Sequence, residues 1–126
     1  MAQAHRLHDG EVWNDAVRLG YRRGDAHRRN RSNTLWPRTL VATAAVQNLL
    51  GGDEAMGRAR KPDVYADAAY VVLNKPATYT GHSLLCEDVL LESGVTDLSV
   101  YDCIPGSELG VDLWVDSPNP PGYQAP

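Results

Sequence analysis

The residues best suited to bind a ligand lie in one stretch, residues 33–43, with the sequence NTLWPRTLVAT. An apolar run ends at Pro37, and two hydroxyl residues, Thr39 and Thr43, follow it. Hydroxyls and backbone N–H groups can hydrogen-bond a polar ligand. The pattern is typical of a strand, a loop and a helix, and open α/β sheets bind ligands beyond the carboxyl ends of their strands.

Metal and thiol chemistry have less support in the sequence. His5 and His8 could bind a metal from one helical face, but no third ligand of matching spacing follows, so no metal site is predicted. Cys86 and Cys103 lack metal-type spacing and indicate reduced thiols, which favours a cytoplasmic protein. No apolar stretch approaches the roughly 20 residues that a membrane helix needs, and no secretory signal is recognised.

The charge is divided unevenly along the 126 residues, a length that suits one small domain. Residues 1–32 hold seven Arg and four acidic residues, a net charge of +3, whereas the remainder carries −7. The arginines could form a nucleic-acid-binding arm. However, Tyr21 is the one aromatic residue beside the arginine runs at 22–23 and 28–31, and the rest of the chain is acidic, which favours a disordered, solvated basic segment and no nucleic-acid partner.

The elements that must position the hydroxyl residues follow from the apolar pattern and its stop signals. Strands are predicted at 33–36 and 82–86, and helices at 41–50, 63–74 and 87–93. Thr39 or Thr43 caps the first helix, and Asp63 caps the second. A polar linker is expected at 53–62 and a mobile Pro-rich tail at 117–126. The prediction is an α/β fold, mostly helical with two short strands.

An ordered series of short motifs carries a family resemblance. The motifs are NTLWPRT at 33–39, TAAV at 43–46, RKP at 60–62, YADAAY at 65–70, YTG at 79–81, DVL at 88–90 and GVTD at 94–97. Together they resemble the carboxyl-terminal part of a short-chain dehydrogenase/reductase, in the subgroup of hydroxysteroid-dehydrogenase-like and citronellol-dehydrogenase-like enzymes. The resemblance spans about residues 31–116.

The resemblance implies a carboxyl-terminal fragment of a Rossmann-type parallel sheet, formed by residues 33–116. It also implies NAD or NADP as cofactor in intact relatives, which transfer hydride between it and an alcohol or carbonyl. In the family the loop after this strand touches the nicotinamide end. Carried over, Pro37 shapes the loop, the Leu40 backbone meets the carboxamide, and Thr39 or Thr43 supplies a hydroxyl.

The rest of the family's machinery is missing from the sequence. No Gly-rich turn follows a first strand, so the phosphate cradle is lacking. The first lysine is Lys61, and Tyr21 has Asp25 four residues later, so the family's Tyr-x-x-x-Lys pair is also lacking. No catalytic residue is therefore assigned, and tight NAD(P) binding by this chain is not expected.

A shifted reading frame is one hypothesis for the basic segment 1–32. Read one nucleotide later, the codons of residues 7–20 permit YTMAKYGMTLCVLG, with tyrosine and lysine at the family's spacing. The nucleotide sequence of the locus tests this hypothesis. If the codons do not encode both residues in the shifted frame, the hypothesis is wrong.

Three functional hypotheses remain. The first is a truncated oxidoreductase that is inactive alone. The second is a non-catalytic interaction module that reuses the family's oligomerisation elements, forming homo-oligomers or mixed oligomers with intact relatives. The third is an accessory nucleic-acid binder that uses the basic segment.

Overall fold

Two short parallel strands and four helices make up the regular structure of residues 31–126, the part of the chain that the computed structural model describes. In chain order the elements are β1 (Thr34–Trp36), α1 (Ala44–Leu49), α2 (Gly52–Gly57), α3 (Asp63–Leu73), β2 (Ser83–Leu85) and α4 (Cys86–Glu92), followed by a 3-10 helix (Leu98–Tyr101). The predictions made for residues 1–30, including the basic arm, the histidine pair and the shifted frame, lie outside the described residues.

The two strands pair in parallel, with Thr34 opposite Ser83 and Trp36 opposite Leu85. Their carboxyl ends therefore meet at one edge of the sheet, from which both the loop after β1 and helix α4 start. The connection between the strands contains helices α1 to α3, as a crossover between parallel strands requires. The predicted α/β fold with two short strands is confirmed.

The predicted polar linker at 53–62 is wrong, because helix α2 occupies Gly52–Gly57. Gly51 has a φ of 127°, a backbone conformation that residues with a side chain rarely adopt, and this turn separates α2 from α1. Helix α1 is shorter than predicted and begins after Thr43, which caps it. Asp63 is not a cap: it is the first residue of α3, and Pro62 precedes it.

The core lies between α3, α4 and the 3-10 helix. Its buried members are Val64, Ala68, Cys86, Val89, Leu90, Leu98 and Tyr101. The hydroxyl of Tyr101 donates to Asp67, and burial together with this hydrogen bond raises the pKa of Tyr101 to about 12. Burial also raises the pKa of the Cys86 thiol, which agrees with a structural rather than a nucleophilic cysteine.

The Pro-rich segment 117–126 was predicted to be mobile, but it packs against the rest of the structure. Tyr123 lies against the core, and its hydroxyl accepts a hydrogen bond from the Leu98 amide at 2.9 Å. Pro120 is buried. Within residues 31–126, no helix is both long enough and apolar enough to cross a membrane.

Candidate functional site

The loop at residues 37–43 starts where β1 ends and is held on both sides by backbone hydrogen bonds. The Leu40 amide donates to the carbonyl of Gly110 at 3.0 Å, and the Leu40 carbonyl accepts from the Arg60 amide at 2.9 Å. Ala42 donates to the Arg60 carbonyl at 2.9 Å. A Cβ on Gly110 would lie 2.7 Å from the Leu40 side chain, so glycine permits this close approach.

Glu87, the second residue of α4, holds the beginning of the loop. One carboxylate oxygen accepts from the Arg38 amide at 2.8 Å, and the other accepts from the Thr39 hydroxyl at 3.3 Å. Thr39 and Glu87 are both fully buried. Since an ionised carboxylate is an acceptor alone, Thr39 must be the donor, and its single proton is committed to Glu87.

Arg60 neutralises this buried carboxylate. Its guanidinium donates to Glu87 at 3.2 Å and to Asp102 at 3.0 Å, and it also donates to Pro118 O at 3.2 Å and to Asn119 Oδ1 at 2.8 Å. We call Arg60, Glu87 and Asp102 the Arg60 cluster. Buried charges of this kind are tolerated when they are paired and hydrogen-bonded.

A second ion pair lies next to the cluster. Arg38 binds Asp88 through two hydrogen bonds of 3.0 and 2.9 Å, the fork geometry that arginine offers to a carboxylate. Arg38 also donates to the Ser117 carbonyl, and its own carbonyl accepts from the Asp112 amide. Burial, with a smaller contribution from the Glu87 charge, raises the pKa of Asp112.

Thr43 has the opposite environment to Thr39. It is exposed, and its hydroxyl oxygen accepts a long hydrogen bond of 3.4 Å from the Val46 amide at the start of α1. The hydroxyl proton of Thr43 has no acceptor among the described residues, so it can be donated to a ligand.

The four predicted site residues thus lie in one loop, but they are not equally available. Pro37 is half-buried, while Thr39 and the Leu40 backbone are engaged within the protein. The Thr43 hydroxyl has no acceptor within residues 31–126 and is therefore the available donor there. The Arg60 cluster was not predicted from the sequence, although Arg60 belongs to the RKP motif and Glu87 lies at the start of a predicted helix. A buried arginine gives no periodic signal.

The loop fits the nicotinamide end of a dinucleotide in part. The exposed Thr43 hydroxyl suits a carboxamide or phosphate oxygen, whereas Thr39 and Leu40 could bind only after a rearrangement. A buried hydroxyl on the strand, Thr34 Oγ1, has no hydrogen-bond partner in the described structure. Such a group fits a hydrogen-bond partner that lies outside the described residues.

Two parallel strands joined by a helical crossover, with a polar loop beyond the strand ends, are features of Rossmann-type α/β proteins. Hydroxysteroid dehydrogenase-like protein 2 of Xenopus tropicalis is 43% identical over 84 residues, which cover 67% of this chain and 20% of that protein. The human protein of the same name is 40% identical over 84 residues, with the same shares covered. No family model matches the chain.

Two crystal structures are similar as well. A short chain dehydrogenase from Mycobacterium thermoresistibile is 77% identical with a TM-score of 0.76, over 89% of this chain and 40% of that one. A putative dehydrogenase from Xanthomonas campestris is 36% identical with a TM-score of 0.71, over 82% of this chain and 38% of that one. The chain belongs to the short-chain dehydrogenase/reductase family, and it spans about a fifth of the length of the curated relatives it matches.

Proposed function

We propose that this chain is the nicotinamide-facing part of an NAD(P)-dependent oxidoreductase. In the whole protein, the oxidised cofactor would accept a hydride from an alcohol substrate, or the reduced cofactor would donate one to a carbonyl substrate. The observation that carries the proposal is the 37–43 loop, fixed at the carboxyl end of β1 with the Thr43 hydroxyl exposed. Membership of a dehydrogenase family supports it.

The same proposal holds that this polypeptide is truncated and inactive alone. Its sequence has no Tyr-x-x-x-Lys pair and no Gly-rich turn after a first strand. Without those groups, nothing would lower the barrier to proton transfer or cradle the pyrophosphate. The 37–43 loop would then contact one end of a cofactor with a weak affinity.

Titration with nicotinamide mononucleotide, followed by amide NMR, tests this proposal. We expect chemical shift changes at residues 37–43 with a dissociation constant of about 1 mM or weaker, which corresponds to about 4 kcal/mol or less of binding free energy. Adenosine monophosphate should leave these signals unchanged. Thr43→Val should weaken the response severalfold, whereas Thr96→Val, at an exposed threonine in the turn after α4, should not.

Two results would overturn the proposal. Binding of NADH or NADPH at about 1 μM or tighter, or hydride transfer by the pure chain, would contradict inactivity. If saturating nicotinamide mononucleotide causes no chemical shift change at residues 37–43, the loop does not contact the nicotinamide end of the cofactor.

We also propose, as a second function, an interaction module that joins copies of itself or intact relatives. Exposed apolar side chains favour this candidate: Leu49 is 81% exposed, Leu113 67% and Trp114 44%. Sedimentation of the chain alone and mixed with an intact short-chain dehydrogenase/reductase is expected to give dimers or mixed oligomers. Leu113→Ser should weaken them, and a monomer at every concentration in both samples would refute this candidate.

A further inference from the structure

One buried carboxylate controls the hydrogen bonding at the start of the 37–43 loop. Glu87 follows β2, and the residues that it binds, Arg38 and Thr39, follow β1. We propose that Glu87 is a positioning residue: it fixes the Arg38 amide and the Thr39 hydroxyl, and thereby leaves Thr43 as the loop hydroxyl that meets a ligand. This inference rests on the proposed function of the loop.

The geometry distinguishes Glu87 from an ordinary partner of Arg60. A carboxylate that served merely to neutralise Arg60 would need no contact with the loop, yet two of its three donors belong to consecutive loop residues. Its shortest contact, 2.8 Å, is to the Arg38 amide rather than to the guanidinium at 3.2 Å. The carboxylate therefore connects the ends of the two parallel strands.

Glu87 also decides between the two hydroxyls. Because Thr39 donates its proton to Glu87 and is fully buried, it has no donor left for a ligand. Thr43 makes none of these contacts, and within the described part of the chain its proton has no acceptor. The preference for Thr43 is thus set by a residue that itself does not touch the ligand.

Arg60 keeps the Glu87 carboxylate in place from the other side. Asp102 and Asn119 fix the guanidinium, so the Glu87 oxygen that binds Thr39 also faces a held donor. Rotation of the carboxylate would break hydrogen bonds in a fully buried site, where water cannot replace them.

Glu87→Gln tests the proposal because glutamine has the same shape and one acceptor oxygen fewer. The charged Arg60 guanidinium and the Thr39 hydroxyl bind the same oxygen and should retain the one that remains, so the NH2 group faces the Arg38 amide, which is itself a donor. We expect the Arg38 amide to exchange with deuterium about tenfold faster, the effect of losing one buried hydrogen bond. Glu92→Gln, at the exposed end of the same helix, is the matched control and should leave this exchange rate unchanged.

Binding supplies a readout that a merely structural role would not change. In the natural sequence, Thr43→Val should weaken nicotinamide mononucleotide binding severalfold and Thr39→Val should leave it within about twofold. In the Glu87→Gln background, Thr43→Val should cause a smaller loss than in the natural sequence, because the neutral amide holds Thr39 less firmly and the Thr39 hydroxyl can then replace that of Thr43. In the Glu92→Gln background its full effect should remain.

Each outcome decides between the proposals. A wild-type loop that does not respond to the mononucleotide refutes the proposed function, while the Arg38 exchange rate still tests whether Glu87 holds the loop. Unchanged Arg38 exchange in Glu87→Gln, or a larger loss from Thr39→Val than from Thr43→Val, overturns the positioning role. If Glu87→Gln does not fold, the unaltered chain supplies the test. NMR should then detect scalar coupling across the hydrogen bond, between Arg38 N and the Glu87 carboxyl carbon. Absence of this coupling overturns the positioning role.

Discussion

Replacing Arg60 with methionine is expected to lower the free energy of unfolding by about 3–5 kcal/mol, the usual cost of removing one partner from a buried ion pair. Methionine fills much of the space but leaves the carboxylates of Glu87 and Asp102 buried without their cation. It also removes the donors to Pro118 and Asn119. Since the free energy of unfolding of a small domain is about 5–15 kcal/mol, the variant should lose much of its stability.

Urea unfolding followed by circular dichroism measures the effect of Arg60→Met. Arg58→Met is the control, because Arg58 is exposed and its guanidinium makes one hydrogen bond, to the Glu108 carbonyl at 3.1 Å. Arg60→Lys should recover part of the loss at most, since an ammonium cannot reproduce the planar fork of donors. Equal midpoints for the Arg60→Met and Arg58→Met variants would show that the Arg60 cluster does not stabilise the fold.

The size of this effect follows from where Arg60 lies in the structure. Through its backbone it pairs with Leu40 and Ala42 in the 37–43 loop. Through its side chain it reaches the start of α4, the segment after the 3-10 helix and the carboxyl-terminal segment. No other buried charged residue among 31–126 is contacted by so many separate segments, so its loss should release the loop as well as the core.

The sequence predicted the main architecture because its signals there are local. Pro37 ends β1, leucines mark β2, and Val64 and Ala68 lie on the buried face of α3. Two parallel strands bring their carboxyl ends together, which placed the 37–43 loop at one edge of the sheet. Short motifs in the right order identified the family without help from the fold.

Features that depend on distant contacts were not predictable. Helix α2 begins and ends in glycine, a residue with poor helix propensity, and its one buried residue, Ala55, is too little to form an apolar period. The Pro-rich segment looked mobile because its anchors, Arg60 and Leu98, are far away in the sequence. Its hydrogen bonds join residues that come close to one another when the chain folds.

The choice between Thr39 and Thr43 illustrates the same limit within the site. Both are hydroxyl residues near a predicted helix start, so either could have been the cap. The structure makes Thr43 the cap of α1 and buries Thr39 against Glu87, which is 48 positions away in the sequence. Sequence spacing located the loop, and tertiary hydrogen bonds decided the role of each hydroxyl.

Replacing Leu98 with alanine is expected to lower the free energy of unfolding by about 2–5 kcal/mol, as for other fully buried leucines. Leu98 is 0% exposed and lies in the core with residues of α3 and α4. Its removal would leave a cavity beneath the 3-10 helix, next to the segment that holds Asp102. The cavity should therefore also weaken the contact by which Asp102 holds the Arg60 guanidinium.

The matched control for Leu98→Ala is Val100→Ala in the same 3-10 helix, because Val100 is 59% exposed. Thermal and urea unfolding should place this control close to the unaltered chain, since an exposed side chain loses little burial on truncation. Deuterium exchange of the Leu40 amide should accelerate in Leu98→Ala and not in Val100→Ala. If both variants unfold at the same urea concentration, Leu98 does not stabilise the fold. Equal Leu40 exchange rates in the two variants would show that this core does not stabilise the 37–43 loop.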